Sequence, residues 1–335
     1  MIKIPKPFRH AGIMPNYECS SACRHCLYAC SPTYEKGKYM DEDTMEEVMA
    51  LLVEGGCRSV HIGGGEPFLN TDGLKLLLKT AGKHRIVVDY VETNSSWVAS
   101  SANVLNTLVD ILKAGADTFC ISIDPFHAEF VPYLKPLHLA KTCEELGIGY
   151  FFWHERFISM LKDAEPNIPN DRQTLEKIIG KDYVYDIAKS YGIRMGGRAI
   201  GIELEYSLKF PVEELLKNAE DRRCDGLIST NHFHVDMYNR FIPPNCTGYV
   251  IPMKEVVNGI PEGKYRAFEA SFYGGCFALY RLGLENGFVP NPKGYATRCA
   301  LCFFIRKFLS ETGNFPELEP EYYRQALSLP ESYDA

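Results

Sequence analysis

The sequence has no apolar run near the roughly 20 residues that a membrane-spanning helix needs. It also lacks an excess of positive charge: the net charge is −7 at pH 7. A general nucleic-acid binder or a protein of anionic membranes would show a basic face, so neither partner is expected. The N-terminal stretch has no signal-peptide apolar segment, which argues against secretion. Internal repeats and low-complexity tracts are missing as well.

The chain has 335 residues, of which 46% are hydrophobic and 24% charged, values typical of a soluble globular protein. That length provides for one large or two modest domains. Twelve cysteines are present. In a chain of this size without an export signal, they indicate metal ligands or buried thiols rather than disulfides, and a cytoplasmic location.

Short β-rich runs alternate with helical segments from residue 11 to about residue 200. This alternation predicts an α/β fold whose parallel sheet has right-handed crossovers and is either doubly wound or curled into a barrel. The six predicted strands cover residues 11–17, 59–65, 86–94, 117–124, 148–155 and 193–200. The five predicted helices, which end at glycine, cover residues 41–56, 71–82, 102–115, 134–147 and 171–192.

After about residue 205 the alternation stops. A helix over residues 211–220 is followed by short predicted strands, frequent Gly and Pro, and five of the twelve cysteines. A short helix is predicted near the end, over 321–329. We therefore predict two domains, 1–205 and 206–335, the second a small cysteine-rich α+β domain.

Three cysteines follow the first predicted strand in the pattern Cys19-x3-Cys23-x2-Cys26. A [4Fe–4S] cluster has four irons, each of which takes one outer ligand, usually a cysteine thiolate. Three cysteines leave one iron open, as a catalytic zinc keeps one position open for water or substrate. A zinc site or chance spacing is the alternative. The glycine-rich segment 63–67 ends the next predicted strand.

The cysteine motif and this glycine-rich segment together resemble the radical S-adenosylmethionine (radical SAM) superfamily. The resemblance implies a partial (β/α)6 TIM-like barrel and an oxygen-poor setting. It also implies that SAM binds the open iron and is cleaved reductively to a 5′-deoxyadenosyl radical, which abstracts a substrate hydrogen. Strand ends of such barrels carry the chemistry. The residues that the resemblance assigns to SAM binding are Gly64, Gly65, Glu66, Thr93, Asn94, Ser122, Asp124 and Arg198.

Two residues near the first cysteine motif have open roles. Cys30 is either a free thiol or a fourth protein ligand that would close the open iron. His25 is interpreted as packing over the cluster or the adenine, not as a ligand.

A second set of cysteines lies in the C-terminal part, and Cys299-x2-Cys302 is a chelating pair. A hairpin with its turn near Asn239 precedes Cys246. This arrangement resembles the SPASM and twitch extensions of radical SAM enzymes, which bind an auxiliary [4Fe–4S] cluster; tetrahedral zinc is the alternative. Cys276 is a buried apolar thiol, a fifth candidate ligand, or a catalytic hydrogen-atom donor. The predicted auxiliary ligands are Cys224, Cys246, Cys299 and Cys302.

The remaining cysteines, Cys57, Cys120 and Cys143, are predicted to pack in the core. His232 and His234 are two residues apart in a predicted strand and therefore lie on the same face. They form a hydrogen-bonded or solvent-facing pair, or they contact the cluster or the substrate.

The resemblance implies an enzyme that modifies a peptide or protein. A radical SAM dehydrogenase or rearrangement enzyme of a small molecule is the first alternative. A non-catalytic iron–sulfur electron carrier or redox sensor is the second. The expected partners are the peptide or small-molecule substrate and an electron donor such as flavodoxin or ferredoxin.

Overall fold

The computed structural model describes residues 1–191, 196–217, 223–244 and 246–328. Its centre is an eight-stranded sheet in the order β5-β4-β3-β2-β1-β6-β7-β8. The strands are β1 (Ala11–Met14), β2 (Ser59–Ile62), β3 (Val87–Thr93), β4 (Thr118–Ile121), β5 (Gly149–Phe152), β6 (Phe233–Asp236), β7 (Arg240–Ile242) and β8 (Ile251–Pro252).

Helices connect and cover these strands. Their ends follow ordinary capping chemistry: the Asp41 side chain accepts a hydrogen bond from the Thr44 N–H at the first helix, and Gly115, with φ of 118°, ends the third. The helices are α1 (Glu42–Glu54), α2 (Thr71–Lys83), α3 (Ser101–Ala114), α4 (Pro125–Ala128), α5 (Leu134–Leu146), α6 (Arg172–Ile179), α7 (Tyr183–Tyr191), α8 (Ala199–Tyr206), α9 (Val212–Leu216), α10 (Met253–Asn258), α11 (Arg266–Glu285), α12 (Arg298–Glu311) and α13 (Pro320–Leu327).

The predicted fold class is confirmed, because the sheet is dominated by parallel pairs joined through helices. Strands β1 to β5 pair in parallel in sequence order, and β6 pairs in parallel with the other side of β1. Among the described strands, the antiparallel pairs are β6 with β7 and β7 with β8. The carboxyl ends of β1 to β4 consequently meet at one edge, where loops of such folds carry their functional groups.

The predicted sixth strand over 193–200 is wrong where the structure describes it. Residues 193–195 lie outside the described residues, Gly196 and Gly197 form a turn, and α8 begins at Ala199. A side chain at Gly197 would place its Cβ 2.1 Å from the Cys26 carbonyl oxygen. The two glycines therefore do not belong to a strand; they allow the backbone to pack closely against the cysteine loop.

The C-terminal part is more helical than predicted. The hairpin is present as β6 and β7, and Asn239 at its turn has a φ of 56°. The long helices α11 and α12, however, stand where short strands and turns were expected. The predicted helix over 171–192 is divided at Gly180 into α6 and α7, and that over 211–220 is the shorter α9, with 218–220 outside the described residues.

The sheet continues from β1 into β6 and thus crosses the predicted boundary at residue 205. The division into domains 1–205 and 206–335 stays a prediction. In the part of the chain that the structure describes, none of the helices has the length and apolar character needed to cross a membrane.

Candidate active site and cysteine centres

The first three cysteines surround one cavity at the carboxyl ends of the strands. Cys19, Cys23 and Cys26 all line this space of about 110 Å³. Their loop is closed by a hydrogen bond from the Cys26 N–H to the Cys23 carbonyl at 3.0 Å and by one from the Cys19 N–H to the Ser31 carbonyl at 3.1 Å. Three thiols around one cavity are the donor set that an iron–sulfur cluster needs.

The glycine-rich segment lies directly against this loop. The Gly65 N–H donates to the Asn16 carbonyl at 3.1 Å, and a Cβ on Gly65 would lie 2.0 Å from the Glu18 carbonyl oxygen. Gly64 has a φ of 108°, a conformation that favours glycine. The glycines therefore allow two backbone segments to pack closely and leave both Gly64 and Gly65 on the cavity wall.

The Glu66 carboxylate points away from the cavity, into the protein. One of its oxygens accepts from the Thr93 hydroxyl at 3.0 Å and the other from the Asn94 N–H at 2.7 Å. The residue is fully buried, and burial raises the pKa of its carboxyl to about 7. Glu66 thus fastens the glycine-rich segment to the end of β3.

Asn94 faces the first cysteine. Its side-chain amide donates to the Cys19 sulfur at 3.4 Å and to the Ser20 and Ser21 hydroxyls at 3.0 and 3.2 Å. Thr93 and Asn94 both line the cavity, as does Ser122 after β4. Their predicted contacts with SAM stay predictions.

Asp124 positions a histidine that the sequence analysis did not select. Its carboxylate accepts from the His127 ring nitrogen Nδ1 at 2.6 Å and caps α4 through the Phe126 and His127 N–H groups. His127 also hydrogen-bonds the Cys23 sulfur. Burial alone would lower the pKa of His127, but Asp124 and Cys23 raise it well above its usual value. The Asp-Pro-Phe-His spacing after β4 was the available signal.

Arg198 holds the cysteine loop from below. Its guanidinium donates to the Cys23 carbonyl at 3.0 Å, to the Ala29 carbonyl at 2.8 Å and to the Cys30 carbonyl. The side chain is 4% exposed and borders the cavity. A planar fork of donors suits this role.

Cys30 and His25 lie on the same cavity. Cys30 hydrogen-bonds the Cys26 sulfur, and this contact lowers the pKa of Cys26 to about 5. His25 stacks on Phe126 with ring centroids 4.7 Å apart, its buried Nδ1 has no partner, and burial lowers its pKa to about 4. An unpaired buried nitrogen is a group that a bound ligand can satisfy.

One hydroxyl group joins this site to the second cysteine set. The Tyr322 hydroxyl contacts the Leu27 carbonyl at 3.3 Å, accepts from the Gly197 N–H at 2.7 Å, and is hydrogen-bonded to the Thr247 hydroxyl. Leu27 follows Cys26, and Thr247 follows Cys246.

A larger cavity of about 530 Å³ opens next to the first. Glu92, which the sequence analysis did not select, lines both cavities, and burial raises the pKa of its carboxyl to about 7. The pattern available to find it was its place two residues before Asn94 at the end of a strand. The histidines on the larger cavity are His25, His61, His127, His154, His232 and His234.

The five C-terminal cysteines also come together. The Cys224 and Cys246 thiols are hydrogen-bonded to each other, and so are Cys276 and Cys302. The contact with Cys246 lowers the pKa of Cys224 to about 7. Cys299, one turn before Cys302 at the start of α12, is exposed.

The two glycines before Cys276 allow α11 to bring this cysteine to the other C-terminal cysteines. Gly275 has φ of 58° and ψ of −146°, so α11 is kinked there and presents Cys276 next to Cys302. Cys276 therefore lies among the other C-terminal cysteines, as a fifth candidate ligand would. Its role as a hydrogen-atom donor stays a prediction.

A buried cation lies beside these sulfurs. The Arg306 guanidinium donates to the Thr247 carbonyl at 2.8 Å, and its Nε has no partner. Among the described residues, neither group of three ligating side chains with atoms within 4.8 Å of one another contains a cysteine.

Of the eight predicted SAM-binding residues, six line the first cavity and two stand behind it. Glu66 and Asp124 are the two behind. Cys57, Cys120 and Cys143 are buried as predicted, and Cys120 also borders the larger cavity. The six on the cavity are Gly64, Gly65, Thr93, Asn94, Ser122 and Arg198.

Comparison with known proteins finds similarity in the N-terminal part. Residues 13–146 match the profile of the radical SAM superfamily. A GTP 3′,8-cyclase of Listeria welshimeri is 29% identical over 138 residues, which are 39% of this chain and 40% of that enzyme. A probable GTP 3′,8-cyclase of Methanococcus vannielii is 28% identical over 107 residues, 32% of this chain and 33% of that protein. The chain thus spans well under half the length of these relatives.

Solved structures with a similar arrangement include anSMEcpe with bound AdoMet, at 16% identity and a TM-score of 0.45, covering 96% of this chain and 91% of that one. Streptococcus suis SuiB bound to S-adenosylmethionine is 16% identical with a TM-score of 0.43, covering 88% and 75% of the two chains.

Proposed function

We propose, from the match of residues 13–146 to the radical SAM superfamily, that the protein is an enzyme that cleaves SAM reductively and abstracts a hydrogen from a peptide or protein substrate. Its first cluster is held by Cys19, Cys23 and Cys26. The observation that carries the proposal is the convergence of these three thiols with Gly64 and Gly65 on one cavity.

When bound, the cluster and SAM supply the electron and the 5′-deoxyadenosyl radical that abstracts the hydrogen. The chain's own residues position these groups. Arg198 and the Asn94 amide hold the cysteine loop, and Glu66 fixes the glycine-rich segment beside it. His127 donates toward the Cys23 sulfur and thereby stabilises its thiolate.

The test is anaerobic reconstitution of the full chain, followed by reduction with dithionite in the presence of SAM. We expect 5′-deoxyadenosine to form. A Cys19/Cys23/Cys26→Ala variant should form none, whereas Cys143→Ala, which removes a core thiol far from the site, should retain the activity. A parent protein with a full first cluster and no 5′-deoxyadenosine would contradict the proposal and favour an electron carrier or redox sensor.

For the second set we propose an auxiliary [4Fe–4S] cluster. Five thiols are available for four ligand positions. Three of the ligands are Cys224, Cys246 and Cys302, which are partly buried; Cys224 contacts Cys246, and Cys302 contacts Cys276. The fourth ligand is either Cys299, as the resemblance implies, or Cys276, as its contact with Cys302 favours. We expect about eight irons per chain in the parent and about four in the Cys19/Cys23/Cys26→Ala variant.

Single variants separate the two candidate ligands. If Cys276 is the ligand, Cys276→Ala loses about four irons and Cys299→Ala keeps them; the reverse result assigns Cys299. Zinc together with only about four irons in the parent would refute the auxiliary cluster.

The substrate is proposed to enter the 530 Å³ cavity, which has the size of sites for small molecules or single side chains. Trp153, which lines it, is 53% exposed, so the cavity reaches the surface where the rest of a peptide can remain outside. A small molecule is the second candidate, because the curated relatives are named for a nucleotide substrate.

Substrate and electron donor can be tested together. The reconstituted enzyme is incubated with SAM, reduced flavodoxin or ferredoxin, and either a peptide library or a nucleotide and sugar set. Stoichiometric 5′-deoxyadenosine with a mass change in a peptide supports the first candidate; a change only in small molecules supports the second. The proposed location is the cytoplasm, where reduced thiols persist.

A further inference from the structure

Three histidines from neighbouring strands converge beside the larger cavity, and two of them, His61 and His232, line it. His10 directly precedes β1, His61 lies in β2, and His232 directly precedes β6; β2 and β6 flank β1 in the sheet. The His10 Nε2 lies 3.0 Å from the His61 Nδ1. One ring nitrogen from each of the three lies within 4.8 Å of the other two.

The spacing of the rings matches a shared metal ion. The three pairs of ring centroids are 5.2, 5.2 and 5.1 Å apart. Three imidazoles bound tetrahedrally to zinc, with Zn–N distances of about 2.0–2.1 Å, place their ring centroids about 5 Å apart. The three rings lie within 15° of parallel, so they must tilt relative to one another to reach the tetrahedral directions. The two nitrogens that are 3.0 Å apart need to separate only by a few tenths of an ångström to bind one ion.

Carboxylates stand behind two of the three rings. The His10 Nδ1, which is not the nitrogen that contacts His61, lies 3.2 Å from an Asp89 carboxylate oxygen and 3.1 Å from the Ser59 hydroxyl. The His61 Nε2 lies 3.7 Å from a Glu92 carboxylate oxygen. Metal-ligating histidines commonly donate their other ring N–H to a carboxylate, which orients the ring and raises its basicity.

A glycine makes room for this group. Gly12 in β1 is paired with His61 on one side and His234 on the other. A Cβ at Gly12 would lie 2.3 Å from the His234 ring and 2.5 Å from the His61 ring. The absence of a side chain in the middle strand thus lets imidazoles from both neighbours occupy the same interior space.

We propose that His10, His61 and His232 bind one divalent transition-metal ion of the zinc type. Three protein ligands leave a fourth position open, as in catalytic zinc sites. His61 and His232 line the 530 Å³ cavity, so this position is available to an oxygen or nitrogen donor of a molecule bound there. The site is built of imidazoles and is independent of both cysteine sets and of SAM cleavage.

The test uses the reconstituted full chain, with its thiols already occupied by clusters. Zn²⁺ is added, excess is removed by gel filtration, and metals are counted by mass spectrometry. We expect about one zinc per chain in addition to iron, with X-ray absorption at the zinc edge showing nitrogen neighbours at about 2.0–2.1 Å. His10→Ala and His61→Ala should lose this zinc, while His138→Ala, at a histidine outside the group, should keep it.

A substitution next to the site, but not of a ligand, distinguishes loss of zinc binding from loss of the folded structure. Asp89→Asn changes a carboxylate that is 40% exposed and should weaken zinc binding about 10–100-fold while iron content and circular dichroism stay unchanged. Zinc that shows only sulfur neighbours at about 2.3 Å, or that survives both histidine substitutions, would overturn the site. Failure of the parent to retain zinc would overturn it as well.

Discussion

At the scale of single residues, Cys30 decides whether the first cluster keeps an open iron. Its thiol hydrogen-bonds the Cys26 sulfur and lowers the pKa of that cysteine to about 5. We predict that Cys30→Ala retains the first cluster and forms 5′-deoxyadenosine at a rate similar to that of the parent. Iron analysis and a timed assay measure both. Loss of about four irons would instead identify Cys30 as a ligand.

Glu66 provides a second prediction at this scale, in the pH dependence of stability. Because burial raises the pKa of its carboxyl to about 7 in the folded protein, the folded state holds its proton more tightly than the unfolded chain. Its contribution to stability is therefore complete below the unfolded pKa and is lost as the pH rises through the folded pKa.

Glu66→Gln removes this titration. Between about pH 5 and pH 8, the thermal unfolding midpoint of the parent should fall more steeply than that of Glu66→Gln, as followed by circular dichroism under anaerobic conditions. Glu54→Gln, at an exposed position on α1, is the matched control and should follow the parent. Parallel curves for the parent and Glu66→Gln would show that this carboxyl does not titrate on unfolding.

At the scale of elements, the kink in α11 places a cysteine. Gly275 adopts a φ of 58° with ψ of −146°, which a residue with a side chain occupies only at a cost of roughly 1–3 kcal/mol. We predict that Gly275→Ala destabilises the protein by that amount and moves Cys276 away from Cys302.

Chemical denaturation and iron content measure the two effects of Gly275→Ala. Gly82→Ala in α2 is the control, since a Cβ there meets nothing within 4 Å and the substitution should be neutral or stabilising. An unchanged stability and an unchanged iron content would show that the kink has no structural role.

The elements also show how far the sequence predicts the fold. The five parallel strands and their helices follow from apolar runs and glycine ends, because these signals are local. The apolar run 193–200 resembles a strand in the same way, but the contact of Gly197 with the Cys26 carbonyl, a long-range feature, decides its conformation. Likewise, the glycines inside α11 have a low helix propensity, so the sequence does not predict this helix, which tertiary packing stabilises.

The site was predictable to a similar extent. The Cys-x3-Cys-x2-Cys spacing predicts that Cys19, Cys23 and Cys26 form one group, because a loop motif is local in sequence, and all three line one cavity. The hydrogen bonds between Cys276 and Cys302 and between His127 and Cys23 join segments that only folding brings together, so a local pattern can mark His127 as a candidate but cannot name its partner.

At the scale of the whole molecule, the sheet joins the two predicted domains. β1 is bonded to β2 on one side and to β6 on the other. Across the same boundary, the Tyr17 hydroxyl donates to Asp236 at 2.9 Å and the Tyr28 hydroxyl contacts the His234 Nδ1 at 2.7 Å. Removing residues 206–335 would expose the edge of β1 and would remove the hydrogen-bond partners of these two hydroxyls.

We therefore predict that a fragment of residues 1–205 does not fold alone. Size-exclusion chromatography should show aggregates, and circular dichroism should show no cooperative unfolding, whereas the full chain is compact in both measurements. A monomeric fragment with a sharp thermal transition would establish the N-terminal part as an autonomous domain.

The Tyr322 hydroxyl gives the molecule a bonded route between its two sulfur centres. From Cys26 the chain leads to the Leu27 carbonyl, from there to the phenol, then to the Thr247 hydroxyl and along the backbone to Cys246. For the two clusters proposed above, this route is a continuous path of covalent and hydrogen bonds along which an electron can pass.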